Sequence, residues 1–234
     1  MVTPFDHKGY IDFVKTTQLV NYLIDNGTDS IVVAGTTGES PTLSSEEKVA
    51  LFQHVVKVAN KRAKIIAGTG SNNTYASIEL TKKAEKVGVD ALLLVSPYYN
   101  KPNQKGLYAH YKAIAEASNT PIILYNVPGR CGVNMTAETT LQLANDFSNI
   151  IGIKEASGNM AQCMDILANK PQGFTVVSGE DALVLPMIAL GAQGVISVAA
   201  NAYPNIMSEV VTHSLKSNMM KARAVHEKLL PFSN

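Results

Sequence analysis

The sequence has few of the residues that would indicate a metal, redox or membrane protein. Tryptophan is absent, only two of the 234 residues are cysteines, and the five histidines are scattered without an H-x-x-x-H pair. Cys131 and Cys163 have neither metal-ligand nor redox spacing, which indicates a reducing compartment. No apolar run approaches the ~18–20 uncharged residues of a membrane span, and no basic-then-apolar signal segment begins the chain. We therefore expect a cytoplasmic protein with no metal site and no membrane partner.

Charge is also scarce, and neither sign dominates. Asp, Glu, Lys and Arg make up 17% of the chain, and the formal net charge is +1. The few basic clusters, such as Lys61-Arg62 and Lys82-Lys83, are typical of solvated helix faces, so a nucleic-acid partner is not expected. An apolar content of 46% is enough for a full core, and the length is common for a single α/β barrel domain.

Short β-branched runs recur along the chain at intervals that leave room for one helix between neighbours. They are Ser30–Ala34, Lys64–Ala67, Ala91–Val95, Pro121–Tyr125, Ile150–Lys154, Phe174–Val177 and Gly194–Val198. Such continuous apolar runs predict parallel strands covered on both faces, joined in βαβ units. With Met1–Phe5 as the tail of an earlier strand, eight β units are present, enough for a (β/α)8 TIM barrel. An open doubly wound sheet is the alternative, but no G-x-G-x-x-G follows a first strand.

The segments between these runs predict helices. Ser44 and Glu47 form an S-x-x-E capping box, and an apolar stripe follows at helical spacing. Further helices are expected near 74–87, 105–118, 136–146, 160–169, 181–190 and 205–215. Gly88 and Gly191 lie where helix C-caps belong, and Pro186 should bend or interrupt its helix.

Polar clusters follow several predicted strands, at the end where a barrel forms its active site. Gly35–Ser40 combines glycines and hydroxyls that suit a carboxylate or phosphate, although an ordinary turn is the alternative. Ser96–Asn100 contains paired tyrosines, which suit either a site or rim packing. Tyr125–Arg130 offers a phenol for proton transfer and an arginine for a carboxylate, unless the arginine faces solvent. Ser178–Asp181 and Gly194–Ser197 could line a pocket, but an acidic helix start explains the first of these equally well.

Lys154 is the strongest candidate for a catalytic residue. It directly follows Ile150–Ile153, so we expect it to point inward from the barrel wall among aliphatic neighbours. Burial disfavours the ammonium and would lower the lysine pKa from ~10.4 toward ~7–8, leaving a nucleophilic amine. A structural ion pair with Glu155 or Glu39 is the alternative. Glu155 is a poor partner, because adjacent residues on a strand point to opposite faces.

Taken together in this order, the motifs closely resemble those of the dihydrodipicolinate synthase/N-acetylneuraminate lyase family. They are GTTGES at 35–40, AGTGSNNT at 67–74, SPYYNKP at 96–102, YNVPGR at 125–130, GIKEASG at 152–158, SGED at 178–181 and GVIS at 194–197. The resemblance implies a (β/α)8 barrel over residues 1–215 with a shortened first strand. It implies the start of a C-terminal helical region over 216–234, with the family's further C-terminal helices missing. It also implies a homo-oligomer, either a tetramer or a dimer.

The resemblance further implies a catalytic role for four residues. Lys154 would be the Schiff-base lysine that attacks pyruvate. Tyr125, Thr36 and Tyr99 match the family's proton relay, with Tyr99 projecting into a neighbouring subunit's site. No metal or organic cofactor is required by this chemistry.

Four further residues match substrate-binding positions. Thr37 and its backbone would hold the pyruvate carboxylate, and Arg130 would hold the carboxylate of the aldehyde substrate. Gly179 and Ile196 would line the pocket through main-chain atoms. Cys131 departs from the pattern, since the family usually has a small hydroxyl residue after this arginine.

Within the family, Arg130 and the motif GTTGE resemble the dihydrodipicolinate synthase branch. A GSTGE motif in place of GTTGE would not favour that branch. That branch joins pyruvate to L-aspartate 4-semialdehyde on the path to diaminopimelate and lysine. A pyruvate-dependent sugar-acid aldolase, such as N-acetylneuraminate lyase or 2-keto-3-deoxygluconate aldolase, is the first alternative. A non-catalytic keto-acid-binding homologue is the second, and the intact set of Lys154, Tyr125 and Thr36 argues against it.

Overall fold

The fold is built on a curled parallel sheet with helices packed against its outer side. The computed structural model describes residues 1–232, and in that range the sheet has six strands in sequential order. Their bounds are β1 Ser30–Val33, β2 Lys64–Gly68, β3 Ala91–Val95, β4 Ile122–Asn126, β5 Ile150–Glu155 and β6 Thr175–Ser178. All neighbouring pairs are parallel, which confirms the α/β class and six of the predicted strands.

The two outermost predicted β units are not regular strands. Within Met1–Phe5 only an isolated antiparallel bridge forms, from Phe5 to Ile11, and within Gly194–Val198 only a parallel bridge from Val195 to Ser178. The expectation of eight regular strands is therefore not met by the described residues. Each segment bonds to the edge strand beside it at a few positions, such as the Ile196 N–H to the Ser178 carbonyl at 2.9 Å, and side chains accept several of the neighbouring N–H groups.

At these edges, two side chains accept hydrogen bonds from backbone N–H groups. Asn201 Oδ1 accepts the Val2 N–H at 2.8 Å. Asp181 Oδ2 accepts the N–H groups of Val198 and Ala199 at 3.0 and 2.8 Å. Each such bond removes a donor from a possible ladder, so the segments follow the sheet edges without extending the sheet.

The predicted helices are present, together with others that were not predicted. Their bounds are α1 Phe13–Asp25, α2 Ser45–Ala59, α3 Thr74–Val87, α4 Gln104–Ala115, α5 Pro128–Cys131, α6 Ala137–Asp146, α7 Met160–Asn169, α8 Val184–Ala189, α9 Pro204–Leu215 and α10 Met219–Leu229. The capping box of α2 is confirmed, since the Glu47 N–H donates to Ser44 Oγ at 3.1 Å and the Ser44 N–H donates back at 2.8 Å. Helix α1 was missed, although Asp12 caps it by accepting the Lys15 N–H.

The two glycines predicted to end helices behave as expected. Gly88 ends α3 with φ +84, and Gly191 follows α8 with φ +109. The predicted interruption at Pro186 is not found: the proline lies in the first turn of α8, where its missing N–H breaks no helix bond, and a 3-10 turn over Asp181–Leu183 precedes the helix. Residues 233 and 234, the last of the predicted C-terminal region 216–234, lie outside the described residues. Across residues 1–232, no helix combines the length and apolarity needed to cross a membrane.

Strands β4 and β5 contain an irregularity that positions the site. Ile122 pairs with Ile150, but the next residue, Ile123, pairs with Gly152. Ile151 is therefore the extra residue of a β-bulge. Because side chains alternate along a strand, one extra residue reverses which face the following side chains occupy.

The bulge turns Lys154 to the inner face of the sheet. Ile150 packs in the core between sheet and helices, and strict alternation would place Lys154 on that same side. Instead Lys154 pairs with Tyr125 of β4 and lies against its ring. On its other side, Gly152 permits β5 to pair closely with β6, since a Cβ at that position would lie 2.6 Å from the Thr175 carbonyl oxygen. The predicted inward orientation is thus present, but for a reason that the strand pattern alone does not contain.

Candidate active site

A cavity of about 540 Å³ opens at the carboxyl ends of the strands. Thr36 follows β1, Tyr99 follows β3, and Tyr125 and Arg130 lie on β4 and α5, respectively. All four line this cavity. The structure therefore brings together residues from three motifs that are far apart in the sequence.

Lys154 is buried beside Tyr125. Only 7% of the lysine is exposed, and its Nζ lies 4.2 Å from the centroid of the Tyr125 ring. Within residues 1–232 it forms no ion pair. Glu155 points to the opposite face and Glu39 is exposed, so neither provides the structural ion pair considered above.

Burial sets the protonation of Lys154. Desolvation lowers its pKa from 10.5 to about 8; the charges of Asp181 and Glu180 oppose this effect, and that of Arg130 adds to it. With a pKa of about 8, roughly a tenth of the amines are neutral at pH 7, against roughly one in 3000 for an ordinary lysine. The neutral amine is the form that attacks a carbonyl carbon.

Tyr125 is held as a protonated phenol next to this amine. Only 5% of the residue is exposed, and burial raises its pKa. Hydrogen bonding with the Thr36 side chain and the charge of Arg130 oppose that rise. A phenol connected to a hydroxyl at this position can give a proton to a reacting group and take it back.

Tyr99 is both strained and exposed. Its φ is +69, and the Asn100 N–H donates to the Tyr98 carbonyl at 2.8 Å, which closes a γ-turn around Tyr99. Strain of this kind costs about 1–3 kcal/mol and is concentrated at functional sites. The ring is 90% exposed, so its phenol lies at the mouth of the cavity and away from the core of its own chain.

Two cations, rather than one, face the cavity. Arg130 lines the cavity from the end of α5 and is exposed, as the alternative of a solvent-facing arginine also expects, so its role in holding a carboxylate stays a prediction. Lys101 also lines the cavity, and its Cε would lie 2.6 Å from a Cβ on Gly132, so it reaches the loop beside Arg130. Lys101 was missed as a site residue, although it belongs to the SPYYNKP motif. Its position next to paired tyrosines after a strand was the available signal.

Cys131 lies in the same wall of the cavity. Burial raises the pKa of its thiol to about 11, so the sulfur is protonated near neutral pH. A protonated thiol is a poor nucleophile. The cysteine therefore fills space beside Arg130 as a small apolar group.

The remaining predicted residues differ in how closely they approach the site. A Cβ on Gly179 would lie 3.0 Å from Lys154 Cε, so this glycine borders the lysine. Ile196 packs against the inner cluster that contains Tyr125, but it borders a second cavity of about 530 Å³. Thr37 is half-buried in the loop after β1 and, among the described residues, does not line the first cavity.

Histidine and acidic residues are not gathered at the cavity. No group of three His, Cys, Asp or Glu side chains in the described part of the chain is arranged to hold a metal ion. His110, for example, is buried between helices, where its Nδ1 lies 2.8 Å from Thr74 Oγ1. Burial lowers the pKa of this imidazole to about 4, so it is neutral at physiological pH.

Comparison with known proteins agrees with this geometry. A sequence model described as the dihydrodipicolinate synthetase family matches residues 1–234. The 4-hydroxy-tetrahydrodipicolinate synthase of Bacillus subtilis (strain 168) is 54% identical over 231 residues, covering 99% of this chain and 80% of that protein. The enzyme of the same name from Moorella thermoacetica is 52% identical, with coverage of 99% and 79%.

Solved structures give the same result. A dihydrodipicolinate synthase from Bacillus anthracis is 55% identical with a TM-score of 0.96, covering 100% of this chain and 80% of that one. The dihydrodipicolinate synthase of Aquifex aeolicus is 44% identical with a TM-score of 0.97, covering 99% and 79%. On the match of sequence, fold and family model, the chain belongs to the dihydrodipicolinate synthetase family.

Proposed function

We propose that this chain joins pyruvate to L-aspartate 4-semialdehyde through an imine on Lys154, giving 4-hydroxy-tetrahydrodipicolinate for lysine and diaminopimelate biosynthesis. The observation that carries the proposal is the buried Lys154 against the ring of Tyr125, which lines a cavity that also presents Arg130; Lys154 itself lies behind this tyrosine and is not among the residues that line the cavity. The names of the relatives at 50–55% identity support the same reaction.

The reaction begins with the neutral Lys154 amine attacking the pyruvate ketone, and loss of water gives a protonated imine. The imine withdraws electrons, so the pyruvate methyl group loses a proton and an enamine forms. The enamine carbon then attacks the aldehyde carbon, whose oxygen takes up a proton. Finally, the amino group of the second substrate adds to the imine carbon and expels the lysine amine, which closes the ring. Tyr125 and Thr36 move protons in these steps.

Substrate carboxylates are held by the polar and cationic rim. Thr37 and the neighbouring backbone of the loop after β1 bind the pyruvate carboxylate. Arg130 binds the carboxylate of the semialdehyde, for which a planar guanidinium supplies two parallel donors. Gly179 and Ile196 line the pocket through main-chain atoms, and the close approach of Gly179 to Lys154 supports its place there.

Tyr99 completes the proton relay of a neighbouring copy in a homo-oligomer. Its 90% exposure and its strained turn support a role outside its own chain. Mixing Lys154→Arg protomers with Tyr99→Phe protomers tests this arrangement. Activity restored in the mixture supports a site shared between chains, while a mixture as inactive as its parts contradicts it.

The barrel is closed by the two edge segments. In this arrangement residues 1–215 form a (β/α)8 barrel and residues 216–234 begin a C-terminal helical region. The Met1 amino group donates to the Val32 carbonyl at 2.7 Å, and the Ile196 N–H donates to the Ser178 carbonyl at 2.9 Å. The bond from the Val2 N–H to Asn201 Oδ1 joins the two edge regions.

Reductive trapping tests the central step. Incubation with pyruvate and borohydride should leave one stable adduct, on the peptide that contains Lys154, with a pH midpoint near 8. Lys154→Arg should abolish the adduct, because a guanidinium stays protonated and cannot attack a carbonyl. An adduct on another lysine, or an active Lys154→Arg enzyme, would show the proposal to be wrong.

A panel of aldehydes separates this reaction from its alternatives. Turnover of pyruvate with L-aspartate 4-semialdehyde, and not with N-acetylmannosamine or glyceraldehyde, is the expected result. Preference for a polyol aldehyde would identify a sugar-acid aldolase instead. Pyruvate binding without any turnover would identify a keto-acid-binding homologue.

A further inference from the structure

A buried polar network lies behind the Lys154–Tyr125 pair, on the side of the sheet that faces the helices. Its centre is Glu155, which is 1% exposed and forms no ion pair among residues 1–232. Its carboxylate accepts the Ser157 N–H at 2.7 Å and the Gln162 Nε2 at 3.0 Å. Asn126 Nδ2 donates to both oxygens, at 3.3 and 3.1 Å. The charge is therefore stabilised by N–H donors alone.

Asn126 ties this carboxylate to the chain beyond β4. Its Nδ2 also donates to Asn134 Oδ1 at 2.8 Å, and its Oδ1 accepts the Met135 N–H at 3.0 Å. Asn134 Nδ2 in turn donates to Gln162 Oε1 at 2.8 Å, which closes a ring of hydrogen bonds. Asn126 itself is fully buried. In such a network each amide is fixed in one orientation by the others.

The network joins the residues that directly follow the two catalytic candidates. Tyr125 pairs with Lys154 across β4 and β5, and Asn126 pairs with Glu155 at the next position. Because side chains alternate, one pair faces the cavity while the next faces the helices. The Ala156 N–H donates to the Asn126 carbonyl at 2.9 Å, so the backbone pairing continues past both pairs.

We propose that Glu155 and Asn126 are positioning residues, which clamp the ends of β4 and β5 so that Lys154 and Tyr125 keep their productive separation. This inference rests on the proposed function. Proton transfer between an imine and a phenol needs a short, fixed distance, and a displacement of about 1 Å can reduce a rate roughly 10²-fold. The amount of imine present at equilibrium depends on the neutral amine reaching the ketone, and not on how fast protons are transferred.

The clamp acts through geometry and not by tuning the charge of the lysine. The groups that shift the pKa of Lys154 are its own burial, Asp181, Glu180 and Arg130, and they do not include Glu155. The Met1 amino group is a further titratable group near the lysine, since the Lys154 charge helps to lower the pKa of that amine to about 5. Loss of the clamp should then reduce kcat without moving the pH at which pyruvate is trapped.

Glu155→Gln tests the clamp with almost no change in shape. The new NH₂ group faces donors from Asn126, Gln162 or Ser157, so at least one hydrogen bond is lost. We expect kcat to fall roughly 10²-fold, with the KM for pyruvate within about threefold of the parent. The amount of trapped adduct at saturating pyruvate and its pH midpoint should be unchanged.

An exchange variant and a matched control separate positioning from stability. Asn126→Asp combined with Glu155→Gln reverses the direction of the ring of hydrogen bonds: once the Asn134 and Gln162 amides turn over, donors again face acceptors around it. This variant should regain at least about tenfold in kcat over Glu155→Gln. Asn149→Ala is the control, because this amide donates to the Ala115 and Ser118 carbonyls at 2.9 and 2.8 Å, just before β5 at its other end. It should lower the unfolding temperature while leaving kcat within about twofold.

Each other outcome overturns the inference. It is wrong if Glu155→Gln keeps the parent kcat, if the trapping midpoint moves, or if the exchange variant is no better than Glu155→Gln. If Glu155→Gln does not fold, Gln162→Ala provides the same comparison at a half-buried residue, with an expected loss of roughly tenfold, and an unchanged kcat there is equally contradictory. If the parent chain neither traps nor turns over pyruvate, the proposed function itself is wrong. If the parent is fully active and the variants have the same kcat as the parent, only the clamp is wrong.

Discussion

The two ends of the sheet are stabilised in different ways. At the carboxyl end, Lys154 and Tyr125 are buried together, and Tyr99 is held in a strained turn. At the amino end, Lys64 and Asp90 form an ion pair of 2.7 Å with side chains that are 73% and 36% exposed. At the carboxyl end, Lys154 is buried away from water, whereas at the amino end the charges of Lys64 and Asp90 are solvated.

The difference shows where this fold accepts unfavourable interactions. A lysine with a pKa of about 8 destabilises the folded chain when it is charged, whereas an exposed ion pair contributes between about 0 and 1 kcal/mol. The buried lysine and the strained Tyr99 lie at the carboxyl end of the sheet, whereas the exposed ion pair lies at its amino end. Substitutions at the carboxyl end should therefore affect activity most, and those at the amino end should affect little.

Among variants that keep Lys154, Tyr125→Phe should have the largest effect on turnover. Without its phenol the relay cannot move protons, so kcat should fall by ~10²–10⁴-fold while borohydride still traps some pyruvate imine. Steady-state kinetics and trapping on the same preparation measure both quantities. Tyr111→Phe is the matched control, because this fully buried hydroxyl bonds to Ser96 Oγ at 3.1 Å outside the cavity wall. If both variants lose the same activity, the contrast between catalytic and structural tyrosines is wrong.

Gly152→Ala should disturb both stability and activity. The new Cβ would lie 2.6 Å from the Thr175 carbonyl oxygen, so β5 must move at the bulge that turns Lys154 inward. We expect a loss of about 1–3 kcal/mol in the free energy of unfolding and roughly 10² in kcat. Denaturant unfolding and kinetics provide the measurement. Ile151→Val, at the neighbouring bulge residue, should change neither by much, and a large loss there would contradict the role of the glycine.

Lys154→Met should stabilise the chain while abolishing activity. The folded state disfavours the ammonium, so at pH 7, below both the folded pKa of about 8 and the unfolded value, the penalty is full and amounts to roughly 3 kcal/mol. As the pH rises through 8 toward 10.5 the penalty is relieved. The variant should therefore gain up to about 3 kcal/mol at pH 7, and its advantage should shrink with increasing pH.

Urea unfolding at pH 7 and pH 9.5 measures the difference in the free energy of unfolding between Lys154→Met and the parent. Lys105→Met is the matched control, because Lys105 is exposed on α4 and its substitution should change stability by less than about 0.5 kcal/mol at either pH. A Lys154→Met variant less stable than the parent at pH 7 would show that the lysine is not an unfavourable buried charge.

Lys64→Ala should have the smallest effect. The ion pair with Asp90 is exposed, so its loss should cost no more than about 1 kcal/mol, and less at high salt. Turnover should stay within about twofold of the parent. Thermal unfolding at low and high salt checks the first expectation, and a large loss of kcat would break the comparison between the two ends.

Much of the fold follows from local sequence patterns. Six apolar runs predict β1 to β6, and the capping box at Ser44 and Glu47 predicts the start of α2, because these signals depend on residues close in sequence. The edge segments Met1–Phe5 and Gly194–Val198 could not be predicted in the same way. Whether they form ladders depends on Asn201 and Asp181, which lie elsewhere in the chain and accept their N–H groups or those of adjoining residues.

In the candidate site, too, some residues could be predicted from the sequence and others could not. The clusters that contain Thr36, Tyr99, Tyr125, Arg130 and Lys154 are expected together from their positions at the ends of apolar runs, since parallel strands bring their carboxyl ends to one edge of the sheet. The roles of Thr36 and Tyr99 come from the family resemblance. Lys101 was not singled out, because its position beside paired tyrosines after a strand also fits an ordinary solvated lysine of a loop. Its approach to Gly132 depends on how two loops meet.

The sequence by itself determined which residues end the strands and which chemistry they could carry. Only the tertiary structure decided that Lys154 faces Tyr125. The side-chain alternation of β5 is a local property, but its phase depends on the pairing with β4, where one extra residue at Ile151 reverses the faces. The lowered pKa of Lys154 has the same origin, because burial is a property of everything packed around a group and not of its neighbours along the chain.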